Sequence, residues 1–486
     1  MRRRAKACPA HARRAGGGGE ARGALLLTIA LSACGADAGS EPGGASPLVL
    51  RGATIIDGTG GSPVADGVVI VADGLVLVFG AASVGTVPVG ARVEDLSGKF
   101  LVPGLIDVHA HALVPRCQAA DAATGFDWEM SRRMMAAVLR SGVTTARSPA
   151  SPTALGIAMR DSLAAGGFPG PRLLVAGELI DGRHTTPAQV RAEVGAQAAA
   201  GVDFVKLYAG LGDAVVRAGI AEAHARGVRV IGHLERATWG GALAAGIDHL
   251  THVVPWNEEL LPASRRATVA RARDQFGPMR ARIDWLEAFD PEGPEVDSLI
   301  AALVRHRVPV DPTVVAFDTK FSFDSVGERP VAARYREHAQ RDAVPGLVAL
   351  WESCGTPTDS WTADDFRRIR AAWPRLLRLV RRYHEGGVLL TAGSDTPNPW
   401  VIPGEGLHRE MELLVEAGIP PAAVLSIATR NGADVLGLLD SLGTIEPGKR
   451  ADLVLLDADP LTDIANTRRI VWVMQGGLRE TIDDRR

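Results

Sequence analysis

The chain has 486 residues, 46% hydrophobic and 22% charged, with a net charge of −3, which gives room for a large core and an accessory domain. Residues 1–33 hold seven Lys/Arg against one Glu and contribute +6, so the remainder carries −9, which argues against nucleic acid as a partner. Four cysteines (Cys8, Cys34, Cys117, Cys354) with no CxxC exclude a zinc ribbon and a disulfide-dense scaffold, and no run approaches the roughly 18 apolar residues of a spanning helix.

The N-terminal 23 residues are basic and Gly-rich, and residues 24–33 (ALLLTIALSA) form a short apolar stretch, so 1–33 read as a secretory signal peptide. The junction Leu31-Ser32-Ala33-Cys34 looks like a bacterial lipobox, with cleavage before Cys34 and lipidation of that cysteine. Gly35 rather than Asp follows it, so the expected location is the cell envelope, lipid-anchored at the periplasmic face or outer membrane. Residues 34–47 are a Gly/Ser/Pro tether.

From 48 to 102 short apolar runs separated by Gly pairs predict strands. The segment 440–486 is similar in character: LGTIEPGKRADLVLLDAD turns at Pro447-Gly448, and RIVWVMQGG supplies a last strand. The two ends are therefore expected to build one composite β-domain around residues 103–439.

That middle alternates strand and helix. Predicted strands cover 105–111, 143–146, 172–176, 203–208, 228–233, 247–253, 307–312 and 388–395. Helical patterns occupy 128–140, 187–200, 213–226 and 405–417, with others inside the long connections 255–305 and 313–387 (264–273, 279–289, 326–343, 361–385). Eight such units predict an α/β fold of the (β/α)8 TIM-barrel type, with its chemistry at the strand C-termini. A doubly wound sheet fits less well, because no Gly-rich phosphate loop follows the first strand.

Candidate site residues cluster at those strand ends. His109 and His111 in FLVPGLIDVHAH are two apart, so on a strand their imidazoles face one way, a spacing suited to Zn, Fe, Ni or Cu. Lys206 ends DFVKLY, where a charged lysine in an apolar strand is costly. His233 ends VRVIGH, and Asp395 ends LLTAGSD. In AGIDHLTH alternation separates His252 from His249, and His249 is expected to pack toward the helices. Tyr208 shares a face with Lys206 and is positioned to reach an oxyanion, while Asp311 before Pro312 reads as a turn former.

The order of these residues, with FLVPGLIDVHAH, LLTAGSDTPNP and the C-terminal IATRNGADVLGLLDSLGTIEPGKRADLVLLDADPL, resembles the metal-dependent amidohydrolase superfamily, especially its imidazolonepropionase-like and prolidase-like (Xaa-Pro dipeptidase) branch. The resemblance implies that the composite β-domain is a β-sandwich, and it implies two divalent metal ions, expected to be zinc. One would be held by His109, His111 and Asp395, the other by His233 and His252, with a carboxylated Lys206 bridging both. It implies hydrolysis of a C–N bond (amide, cyclic amide or dipeptide) by a metal-bridging hydroxide, with Asp395 as general base. Alternatives are a lactone or phosphotriester hydrolase on the same site, or a non-catalytic lipid-anchored binding protein. Arg147 matches the arginine of the family's TTVRD stretch, although Ser148 replaces the Asp; Arg147 and His184 are the expected substrate contacts. The expected partner is a small-molecule substrate, with the membrane touched only through the lipid; a homo-oligomer is compatible with all of this. Cys117 and Cys354 are expected to pair across the catalytic rim.

Overall fold

A computed structural model describes residues 46–480, apart from 82, 84–85, 117–124, 323–336, 338–343 and 356. Cys34, the signal region and Cys117 lie outside the described residues, as does nearly all of the helical pattern at 326–343.

The Gly-punctuated apolar runs near the N-terminus form β1 (Leu48–Ile55), β2 (Val64–Ala72), β3 (Leu75–Ala81), β4 (Arg92–Asp95) and β5 (Phe100–Pro103). They join β15 (Leu453–Leu456), β16 (Ile470–Gln475) and β17 (Leu478–Glu480) in one eight-stranded sheet, ordered β17-β16-β15-β5-β1-β2-β3 with β4 on β1. The join between the two ends is the antiparallel pair β5–β15, which runs from Leu453 opposite Pro103 to Leu456 opposite Phe100. Alternate residues of these strands, among them Leu50, Val69, Val76, Leu101, Leu453, Leu455 and Trp472, form a separate apolar cluster.

Gly104 then turns the chain into parallel strands. These are β6 (Leu105–Asp107), β9 (Val143–Ser148) and β10 (Arg172–Val175) in one ladder, and β11 (Phe204–Leu207), β12 (Arg229–Gly232), β13 (His249–Thr251) and β14 (Val310–Asp311) in another. A short ribbon of β7 (Val114–Pro115) and β8 (Phe126–Asp127) follows β6. Isolated parallel bridges link the ladders: Ala176 to Phe204, Val310 to Leu390, and Ala110 to Thr396. Mixed α/β content is therefore plain, with helices such as Trp128–Arg140, Pro187–Ala200 and Asp213–Ala225 following successive strands. Those three form where the sequence predicts helical patterns. The helix Pro187–Ala200 is fixed at its start by a Thr186/Gln189 capping box and at its end by left-handed Gly201.

Two expectations are corrected. The strand expected at 388–395 forms no regular ladder: it carries the isolated bridge at Leu390, the next lies just beyond it at Thr396, and its last residue, Asp395, is left-handed (φ 59°). The strand expected at 105–111 ends at Asp107, so His109 and His111 lie beyond it, in a segment held by the Ala110–Thr396 bridge rather than by strand pleating. Among the described residues, no helix is long and apolar enough to cross a membrane.

Candidate metal centre

Asp107, fully buried, accepts bonds from the backbone of His109 (3.0 Å) and from Ser394 (N 3.1 Å, Oγ 2.6 Å), tying the end of β6 to the segment that carries Asp395. Gly393 makes the close approach feasible, since a Cβ there would lie 2.6 Å from His109 Cβ. His109 Nε2 and His111 Nε2 stand 3.3 and 3.2 Å from Asp395 Oδ1. The ligand atoms of these three residues all lie within 4.8 Å of one another. Lys206 Nζ is 3.2 Å from His109 Nε2, and His252 Nε2 is 2.8 Å from His233 Nδ1. The six residues expected as ligands are thus brought together.

The outer nitrogen of each imidazole has an acceptor. His109 Nδ1 faces both oxygens of Asp311 at 3.3 Å, and His111 Nδ1 faces Ala150 O at 3.4 Å. His233 Nε2 meets Glu235 at 3.3 Å. His252 Nδ1 meets Thr313 Oγ1 at 2.6 Å, and that hydroxyl donates onward to Pro312 O. These bonds assign each ring's proton outward and leave an inward lone pair. Two such lone pairs, on His233 and His252, then face each other at 2.8 Å, an arrangement that is repulsive until a cation lies among them. The donor set of imidazoles and a carboxylate therefore fits divalent metal ions.

Electrostatics agree with neutral rings at three positions. Burial pushes His111 down and His233 to about 4, and pushes His252 well below its ordinary value. For His109 burial acts downward, but Asp311 and Asp395 outweigh it and the net direction is up. Asp395 is held well below the usual carboxylate range: burial opposes ionisation, but the neighbouring His109 and His111 prevail. Burial lowers Lys206 to about 8 and raises Tyr208 to about 12. Tyr208 stacks tilted on His233, with centroids 4.4 Å apart. His252 (φ 72°), Thr313 (φ 46°) and Asp395 (φ 59°) all have left-handed backbones, so strain concentrates at this centre.

Other expected site residues lie elsewhere. Arg147 is not open to substrate: it is fully buried and donates to Val108 O (2.7 Å), His249 Nδ1 (2.9 Å) and Asp311 Oδ2 (3.3 Å). His249 accordingly lies beneath the centre with Arg147 and Asp311 instead of packing toward the helices. His184 bonds Asp181 O at 3.3 Å and contacts none of the six. Cys354 is disulfide-bonded, and its proposed partner Cys117 lies outside the described residues.

Sequence reasoning missed Asp107, Thr313 and Glu235, and took Asp311 for a turn former. Glu235 is held ionised by His233 and by Arg282 (2.8 Å), against the upward push of burial. Arg282 lies 4.8 Å over the Trp256 ring. Two cavities flank the centre: one of about 450 Å3 reaches His111 and is lined by Leu113, Phe126 and Pro397, and one of about 370 Å3 is lined by Glu235, Arg282 and Trp285.

The Amidohydrolase family profile matches residues 100–260 and 373–478, more than half of the chain, and the chain belongs to this family of hydrolases. It is 25% identical over 438 residues to 5-methylthioadenosine/S-adenosylhomocysteine deaminase of Symbiobacterium thermophilum, covering 85% of each chain. It is 26% identical over 444 residues to imidazolonepropionase of Deinococcus deserti, covering 89% of this chain and 96% of that one. Among solved structures it superposes on a putative prolidase from Bifidobacterium longum with a TM-score of 0.61 and 23% identity, covering 90% and 94% of the two chains. The protein is an enzyme of the amidohydrolase family acting on carbon–nitrogen bonds, and it is similar to imidazolonepropionases and to a deaminase of that family.

Proposed function

We propose that this enzyme hydrolyses the C–N bond of a small amide, cyclic amide or dipeptide at the centre formed by His109, His111, Lys206, His233, His252 and Asp395. The observation that carries the reading is the inward convergence of four imidazole lone pairs with the Asp395 carboxylate. His109, His111 and Asp395 would hold one divalent metal ion, expected to be zinc, and His233 and His252 a second, with Lys206 between them as a carbamate. The ions would supply Lewis acidity toward the substrate carbonyl and lower the pKa of water. A lysine lowered to about 8 by burial has a sizeable neutral fraction near pH 7.5, the form that captures CO2. Asp395, ionised and next to His109 and His111, accepts the proton of the attacking water and returns it to the leaving nitrogen. Tyr208, kept protonated by burial, donates its hydroxyl to the developing oxyanion.

In this reading the parallel strands, linked in a ring by the Ala176–Phe204, Val310–Leu390 and Ala110–Thr396 bridges, are a (β/α)8 barrel over 103–439. Residues 48–102 and 440–486 form the accessory β-sandwich. Residues 1–33 act as the signal, and Cys34 carries the lipid that anchors the protein in the envelope. A Cys34→Ser variant is then released from membranes, and a wild-type protein already soluble and starting elsewhere would refute this. The activity is tested by measuring metal content and screening dipeptides, lactams, lactones and phosphotriesters. Metal-dependent turnover confined to C–N substrates is expected, and a metal-loaded protein turning over only esters or phosphotriesters would overturn it.

A further inference from the structure

The helix Val314–Ser322 leaves β14 and lies against the centre: Phe317 packs edge-on against His252, with centroids 5.9 Å apart, and also touches Trp256. Every residue of that helix is buried except Lys320, which stays partly open. Its Nζ lies 5.7 Å over the Phe317 ring, on the ring that Arg282 also approaches at 5.9 Å. Among the described residues, Lys320 Nζ has no carboxylate in ion-pair contact. The nearby acids are committed: Asp318 bonds Arg409 at 3.1 Å, Glu235 bonds Arg282 and His233, and Asp395 faces His109 and His111. Arg282 is likewise spent on Glu235. A cation in an apolar, aromatic recess without a counter-ion is costly, and burial indeed lowers its pKa even though Asp395 opposes that.

We propose that Lys320 is a substrate-specificity residue that receives a carboxylate of the substrate, while the scissile C–N bond lies at the metal centre. The substrate class is then an N-acyl amino acid with a free carboxylate, whose uncharged acyl end enters the 450 Å3 apolar cavity beside His111. This inference rests on the C–N hydrolase reading above and deepens it. Methionine is close in shape to lysine and lacks only the ammonium, so Lys320→Met removes the charge with little change in packing.

Two measurements on the zinc-supplemented full-length protein test it. In the first, kcat/KM is compared for an N-acyl amino acid and its carboxamide. The wild type should favour the free acid through KM by roughly 10- to 100-fold, as a charged hydrogen bond allows, and Lys320→Met should collapse that ratio while Lys320→Arg restores part of it. A ratio that survives Lys320→Met, or a wild type indifferent to the carboxylate, overturns the proposal. The second is calorimetric binding of N-benzoylglycine against its amide, which needs no turnover. If nothing is hydrolysed, the C–N reading fails while binding still decides the role of Lys320. N-benzoylglycine bound about tenfold more tightly by the wild type than by Lys320→Met supports it, and equal binding refutes it.

Discussion

Asp311→Asn is the sharpest perturbation of the shell beneath the metal centre. The carboxylate is fully buried and serves four neighbours: His109 Nδ1, Arg147 Nη2, the backbone of His252, and His249 Nε2 at 3.5 Å. Neutralising it strands the fully buried Arg147, and breaking one side of such a pair costs about 3–5 kcal/mol. Arg147 keeps its bonds to Val108 O and His249, which places the expected loss near the lower end, about 3 kcal/mol. The same change lets the His109 ring choose the wrong tautomer, so zinc affinity should fall roughly 10- to 100-fold. Urea unfolding of the zinc-free protein reads the first number, and competition with a chromophoric chelator reads the second. Adding Arg147→Met to Asp311→Asn should cost less than the sum of the single changes by about 1 kcal/mol or more, because no cation is then left unpaired. If Asp311→Asn unfolds within about 1 kcal/mol of wild type and binds zinc equally well, the positioning argument is wrong.

Asp395→Asn, and separately His109→Ala, should abolish hydrolysis while circular dichroism stays native; near-normal kcat with metal retained would remove either residue from the centre. Gly393→Ala puts a methyl 2.6 Å from His109 Cβ, so it should weaken zinc binding and lower stability by about 1–3 kcal/mol, as overpacking does; unchanged zinc affinity counts against the close approach. Glu410, buried in the helix Glu405–Glu416, is raised from 4.5 to about 8, first by burial and further by Asp311 and Asp107. The folded state therefore keeps its proton between those values while the unfolded state loses it. This contribution to stability falls as pH rises from 4.5 toward about 8, at up to about 1.4 kcal/mol per pH unit, and is flat above. Glu410→Gln, which retains the acceptor for Val315 N, should flatten that slope, and urea unfolding at pH 5 and 8 would show an unaltered slope if burial does not protonate the residue.

What the sequence made legible was whatever it writes locally. The helices Trp128–Arg140 and Ala363–Glu385 follow an apolar period, Pro187–Ala200 is marked by its Thr186/Gln189 capping box and Gly201, and all three form where expected. The six convergent side chains stand out because each polar residue interrupts or closes an apolar run. Asp311 was unreadable for the opposite reason: its neighbour Pro312 advertises a turn, whereas its partner His109 is 202 residues away. Glu235 and Arg282 meet across 47 residues, and Arg147, expected to contact substrate, is fully buried. The eighth strand looked regular because its composition is regular; the left-handed backbone at Asp395, next to the bonds of Ser394 to Asp107, has no local signature.

The seam between β5 and β15 also bears on how the chain comes into being. Residues 100–103 are synthesised early, and one edge of their strand can pair with β1 at once, through Thr54 and Ile55. The other edge waits for residues 453–456, by which time nearly every parallel strand has been made. A nascent chain therefore carries an unpaired strand edge, apolar at Leu101 and Val102, through most of its synthesis, the kind of edge that recruits foreign strands. Truncations that stop before Leu453 should consequently aggregate even where residues 105–436 are intact, and a separately supplied 440–480 peptide should restore solubility by completing the sheet from outside.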